Sequence, residues 1–264
     1  MKLPTVAYPF TFLTACFSGT WQGKDARESE LRVPAIRGHL RVWHRALFQA
    51  SDANRVWGNA AGNEGSGSRV GITLKNAPAN SNATAPTLPH KEEAFKRGPR
   101  VALPANTKAT LILQRLPGCT VIDWDHAKKA AQLWLLLGSL GNRSNRAAGS
   151  AWPDDATAPA SAADLRGQLT ALGCNWALAL APVSIGTTWE SLREAASDTP
   201  AVTASYGSSN PRTPSPTHFK VVRFGNELRL LVFAKESSRL ASARIAMEQK
   251  PMAALSKPKE WVSI

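Results

Sequence analysis

Apolar, aromatic and β-branched side chains crowd residues 5–17, which predicts a buried strand that ends at Ser18-Gly19. After a polar loop over residues 20–30, Ile36, Leu40, Trp43 and Leu47 recur at offsets of four, three and four. That spacing predicts a helix from Pro34 to about Ala50 with one buried face. Residues 58–68 are rich in glycine and serine and predict a loop, and residues 69–74 alternate as a strand. Residues 107–116 form another β-rich run, turned by Pro117-Gly118 toward a helix over 123–137 that Asp123 or Asp125 can cap. In it Ala127, Ala130, Ala131, Trp134 and Leu137 share a face, while Lys128, Lys129 and Gln132 point away.

Beyond a linker rich in Pro, Ala and Asp, the pattern predicts a helix over 164–172, a strand over 175–183 and a helix over 188–196. A hairpin over 218–223 and 227–235 turns at Gly225-Asn226. The order of elements predicts an α+β fold: a ferredoxin-like (RRM-like) βαββαβ unit over residues 1–151 and a second, degenerate ferredoxin-like half over residues 152–264. Residues 76–100 are too long for an ordinary connection and carry His90, Lys91, Lys96, Arg97 and Arg100, which suits a thumb-like hairpin lying along RNA.

Charge sharpens this picture. With 32 Lys plus Arg against 19 Asp plus Glu, the chain carries a formal charge of +13, which points to a polyanionic partner, nucleic acid first. An anionic membrane surface fits less well, because the basic residues are spread along the chain and no run approaches the roughly 20 apolar residues of a spanning helix. Cys16, Cys119 and Cys174 are odd in number, far apart and without a C-x-x-C pair. Neither a disulfide framework nor a metal site is suggested, and a cytoplasmic location is expected.

Two segments concentrate the candidate chemistry. Arg37, Arg41 and Arg45 stand at i+4 spacing with His44 beside them, a cationic ridge next to the buried stripe without carboxylates one turn away. Residues 138–150, GSLGNRSNRAAGS, follow the second helix and put Gly141, Asn142, Arg143, Ser144 and Arg146 in a glycine-punctuated loop. Such a loop can hold a phosphate backbone through main-chain amides and arginine forks. Trp21 and Trp57, on glycine-flanked segments, are candidates for base stacking, and Lys91, Lys96 and Arg97 for tracking the backbone; Trp43 and Trp134 belong to the core.

Three segments carry a family resemblance. FLTACFSG at 12–19 leading into ELRVPAIRGHLRVWHRAL at 30–47, Val56-Trp57-Gly58 with Ser68-Arg69-Val70, and the 138–150 loop resemble the RAMP superfamily of CRISPR effector subunits. Within it they are most similar to the first-numbered subunit family of type III-B (Cmr) complexes. The first segment resembles its P-x-I-R-G-x-L-R-x-W-x-R-A-L helix, and the third its G-x-x-G-x-R-S-x-R-x-x-G-S signature. Asn145 stands where a second adjacent arginine is common, and Ala147-Ala148 where a Gly-Phe pair is common.

The resemblance implies a non-catalytic subunit, without cofactor or metal, that holds guide RNA near its 3′ end, helps engage target RNA and contacts other RAMP subunits in antiviral defence. The alternatives are enzymes. A loop aspartate, Asp25 or Asp52, suits a target-cleaving backbone subunit. His39 and His44 suit metal-independent guide processing, although five residues of helix turn them about 140° apart. A ribosomal or other structural ribonucleoprotein component shares the charge and fold but would not show the paired segments. No P-loop, H-E-x-x-H, G-x-S-x-G or EF-hand pattern occurs.

Overall fold

The structure, a computed structural model, describes residues 3–19, 27–59, 65–87, 89, 99–198, 208–209, 212–213, 215–248 and 261–264. The first half runs β1 (Thr5–Phe12), α1 (Val33–Leu47), α2 (Ala50–Trp57), β2 (Val70–Lys75), β3 (Thr84–Ala85), β4 (Arg100–Val101), β5 (Lys108–Arg115), α3 (Val121–Leu137) and β6 (Ala151–Pro153). The second runs α4 (Ala162–Ala171), β7 (Ala177–Leu180), a 3-10 turn, α5 (Trp189–Asp198), β8 (Ser208–Ser209), β9 (Arg212–Thr213), β10 (Thr217–Phe224), β11 (Glu227–Ala234), α6 (Ser237–Glu248) and β12 (Val262–Ser263).

Two four-stranded sheets, ordered β2-β5-β1-β6 and β10-β11-β7-β12, form the frame, and every neighbouring pair is antiparallel. The α+β class therefore holds. On β5 the burial alternates, with Ala109, Leu111 and Leu113 inward, as a strand half-covered by helices requires. Helix α1 buries Ile36, Leu40 and Trp43, and α3 buries Ala127, Ala130, Ala131, Trp134 and Leu137, the stripes their spacing predicts. One continuous apolar cluster joins the halves: the Phe10 ring meets Trp134 edge-on at 5.5 Å, and Trp43 lies 5.5 Å from Trp176 and 6.3 Å from Phe233.

Several local features differ from expectation. The strand predicted to reach Phe17 ends at Phe12, and Cys16 and Phe17 continue as isolated bridges to Leu103 and Asn142. The first helix stops at Leu47 and a second begins at Ala50. No Gly or Pro marks that break, and Gln49 offers no side-chain cap. Asp123 does not cap α3. Thr120 does, accepting the Asp123 amide at 3.0 Å, while the buried Asp123 carboxylate pairs with Arg55 at 2.8 Å and Arg69 at 3.4 Å. The long basic segment has a paired base, Thr84↔Val101 and Ala85↔Arg100. Lys91, Lys96 and Arg97 lie outside the described residues, as do Trp21 and Asp25.

The seam between the sheets is built by residues 138–150 and β10. Main-chain bonds run from Phe219 N–H to the Asn145 carbonyl and from Ala147 N–H to the Phe219 carbonyl, and the Ser150 hydroxyl accepts the Val221 amide at 3.1 Å. Lys220, fully buried, sends its ammonium into the end of α3. Its Nζ donates to the carbonyls of Leu135 at 2.8 Å, Gly138 at 2.5 Å and Ala151.

Candidate nucleic-acid interface

The arginine ridge of α1 divides into residues that serve the fold and residues that face out. Arg41 is committed to the fold: it donates to Asn54 Oδ1 at 2.7 Å and to the Gly58 carbonyl, fastening α1 to α2. Arg45 is exposed and reaches the same Asn54 oxygen at 3.3 Å. Arg37 is exposed with no hydrogen-bond partner among the described residues.

His44 and Trp57, expected at the interface, are core residues at 0% and 1% exposure. His44 stands one turn after Leu40, on the buried stripe, and its Nδ1 accepts from Trp57 Nε1 at 3.1 Å. Phe48 and His126 close over the ring, with centroids at 5.1 and 5.8 Å. Burial, and then the neighbouring His126, hold the pKa of His44 down at about 4, against an ordinary 6.5. Between those values the unfolded chain takes up a proton that the folded chain refuses, so stability falls as pH drops through this window. The loss from His44 is about 3 kcal/mol, and His218, also held down at about 4 by burial, adds to it with the same sign. A melting series from pH 7.5 to 4.5 should show a falling Tm, with a shallower slope in His44→Gln. A flat profile overturns this account.

The glycine-arginine loop is shaped first by the protein itself. At Gly141, φ is +88° and a Cβ would stand 2.6 Å from the Phe17 carbonyl oxygen; at Gly149, φ is +63° and a Cβ would stand 2.1 Å from that of Leu140. Most of the loop's main chain is spent internally. Asn142 N–H bonds the Phe17 carbonyl, Gly149 N–H that of Ala15, and the Arg143 carbonyl accepts from Arg146 and Ala148. The Thr14 hydroxyl donates to the Ala147 carbonyl and accepts the Ser150 amide.

Arg146 turns to the second half, its guanidinium 5.2 Å from the Phe219 ring centre and 3.5 Å from the Ala196 carbonyl oxygen. The broad phosphate cradle expected from sequence thus contracts. What faces outward is Asn142 and Arg143, the latter at φ +62°.

Of this loop, Gly141 and Asn142 border a cleft of about 820 Å³ that the sequence did not reveal, a size typical of ligand sites. One wall is the α1 face carrying Pro34, Gly38, His39 and Val42. The other combines Phe17 and Ser18 with Gly141 and Asn142, and the hairpin base contributes Thr84, Arg100 and Val101. Gly38 lies inside α1, where glycine costs roughly 1 kcal/mol relative to alanine. Nothing lies within 4 Å of the position its Cβ would take, so the packing of the described chain does not call for a glycine.

Val42 on the same wall is 61% exposed, and Arg100 is exposed. Burial lowers the pKa of His39, so its imidazole stays neutral near pH 7, and it has no hydrogen-bond partner among the described residues. Glu28 is the one carboxylate among the described lining residues and accepts from Asn80 Nδ2 at 2.9 Å. A valine off the buried stripe and a mid-helix glycine were the available sequence signals for this wall.

The alternative catalytic groups do not converge. His39 faces the cleft while His44 faces the core, and Asp52 is paired with Arg55 at 2.8 Å. Among the described residues no group of three metal-ligating side chains occurs, and no helix is long and apolar enough to cross a membrane.

Solved structures share this fold. Cmr1 from Pyrococcus furiosus, in its apo form, superimposes with a TM-score of 0.56 and 15% sequence identity, over 88% of this chain and 88% of that one. A chain of the Type III-B Cmr-beta complex bound to cognate target RNA also gives a TM-score of 0.56, with 10% identity over 97% of this chain and 100% of that one. No protein-family model matches the chain, and no curated protein matches its sequence.

Proposed function

We propose that this chain is the Cmr1-type subunit of a type III-B CRISPR ribonucleoprotein and holds guide RNA at the cleft between α1 and residues 138–150. The observation that carries the reading is the position of that cleft: on a Cmr1 fold, it joins the two segments whose sequences resemble the family signatures. Arg100 lines it, and Arg37 and Arg143 are exposed beside lining residues. In a chain of +13 charge, such cations fit a phosphodiester backbone without reading bases, as a guide of any sequence requires.

The first sheet, with α1 and α3 as crossovers, reads as a ferredoxin-like unit, and the second as its degenerate counterpart. The partners are then guide RNA near its 3′ end, target RNA and other RAMP subunits. The role is one of positioning, without a cofactor, which accords with catalytic candidates that point apart.

The test is to co-express the chain with its genomic neighbours, purify through a tag on this subunit and sequence the RNA retained. Guide RNAs of defined length that crosslink to this subunit near their 3′ ends are expected. Crosslinks along the middle of the guide, with periodic target cuts lost in an aspartate variant, would make it a cleaving backbone subunit instead. Retention of ribosomal RNA alone, or of none, would refute the assignment.

A further inference from the structure

The cleft beside α1 combines apolar walls with a carboxylate, which suits a base better than a phosphate. Its walls include Phe17, Pro34 and Val42, with Gly38 leaving a flat, open stretch of helix between them. The polar side chains set among these include a neutral imidazole, His39, and the Glu28 carboxylate, together with Ser18, Thr84 and Asn142. A carboxylate repels a phosphate and accepts from an exocyclic amino group; a neutral imidazole offers one donor and one acceptor, as a base edge does. The positive groups lie differently: Arg100 enters from the hairpin base, and Arg37 and Arg143 are exposed next to wall residues Gly38 and Asn142. Apolar walls with a few polar groups among them and cations nearby are what a single-stranded nucleotide needs when its base leaves the stack.

We infer that this cleft receives one unpaired nucleobase of the bound RNA, inserted against the Gly38 face of α1, while the flanking phosphates lie on the arginines around it. The inference rests on the RNA-binding reading above and adds to it a preference for unstacked, single-stranded RNA at this point. Gly38 is the residue that makes room. A Cβ there would meet no atom within 4 Å, so a larger side chain would take space on this wall of the cleft.

The experiment uses the full chain and two single-stranded RNA oligonucleotides of equal length and charge, one intact and one abasic throughout its central third. Binding is measured by fluorescence anisotropy at low salt for the wild type and for Gly38→Leu, with circular dichroism of both. Intact RNA should bind the wild type about tenfold more tightly than the abasic RNA. Gly38→Leu should lose that preference and bind both with the weaker affinity. Equal binding of the two RNAs by the wild type would overturn the base pocket and leave RNA binding standing, whereas no binding of either would remove both readings. The wild-type comparison decides the matter even if Gly38→Leu fails to fold.

Discussion

Lys220→Met should destabilise the protein by about 4 kcal/mol, and the loss should appear as a loosened junction between the two sheets. The buried Nζ satisfies three carbonyls, those of Leu135 and Gly138 at the end of α3 and of Ala151 at the start of β6. Methionine fills similar space but donates nothing, so three buried acceptors lose their partner at about 1–3 kcal/mol each, partly offset by removing a charge from the interior. Burial pulls the lysine's pKa well below its ordinary value, and the three carbonyls oppose that pull by matching the three N–H bonds of the ammonium.

The Nζ also lies 5.7 Å from the centre of the Trp152 ring, a further stabilising contact for the charged form. Chemical denaturation of the purified chain measures the loss, and hydrogen exchange should locate early opening at residues 135–151 and β10. Stability within about 1 kcal/mol of wild type would mean that the ammonium contributes little beyond its own desolvation.

The largest functional effect is expected from Arg37→Ala combined with Arg143→Asn. Both arginines are exposed, and each is the chain neighbour of a cleft-lining residue, Gly38 or Asn142. Asparagine is chosen at 143 because φ there is +62°, a conformation that asparagine tolerates better than alanine. If each arginine holds one phosphate, the double variant should lower the slope of log K against log salt by roughly two units and weaken binding equally for unrelated RNA sequences. Arg41→Ala should behave otherwise. Its side chain is spent on Asn54 and the Gly58 carbonyl, so it should loosen α2 with little change in the salt slope. An unchanged slope in the double variant would detach α1 and the loop from the RNA.

Arg41 and Arg37 show why the candidate site was only partly legible. Both sit on one ridge at i+4 spacing, and nothing local distinguishes them. What separates them is α2, a helix whose start carries no glycine, proline or capping side chain and which places Asn54 against Arg41 and not against Arg37. Arg146 is a similar case. Its partners, Phe219 and Ala196, come from β10 and α5, far along the chain. His44 is a different case: its place one turn after Leu40 puts it on the buried stripe, although it also borders the cationic ridge.

The cleft was invisible for a further reason. It is an absence of atoms between α1, the 138–150 loop and the hairpin base, and only their relative placement creates it.

By itself the sequence determined the α+β class, the inward stripes of α1 and α3, the alternation of β5, the excess of positive charge and the two signature segments. These follow from properties local in the chain: side-chain period, glycine and proline placement, and composition. Tertiary structure decided which cations stay outward, which glycines serve main-chain approach and which border open space, and where the two signature segments meet. Those outcomes depend on contacts between residues tens of positions apart, and a partner's distance along the chain leaves no trace in the period of either segment.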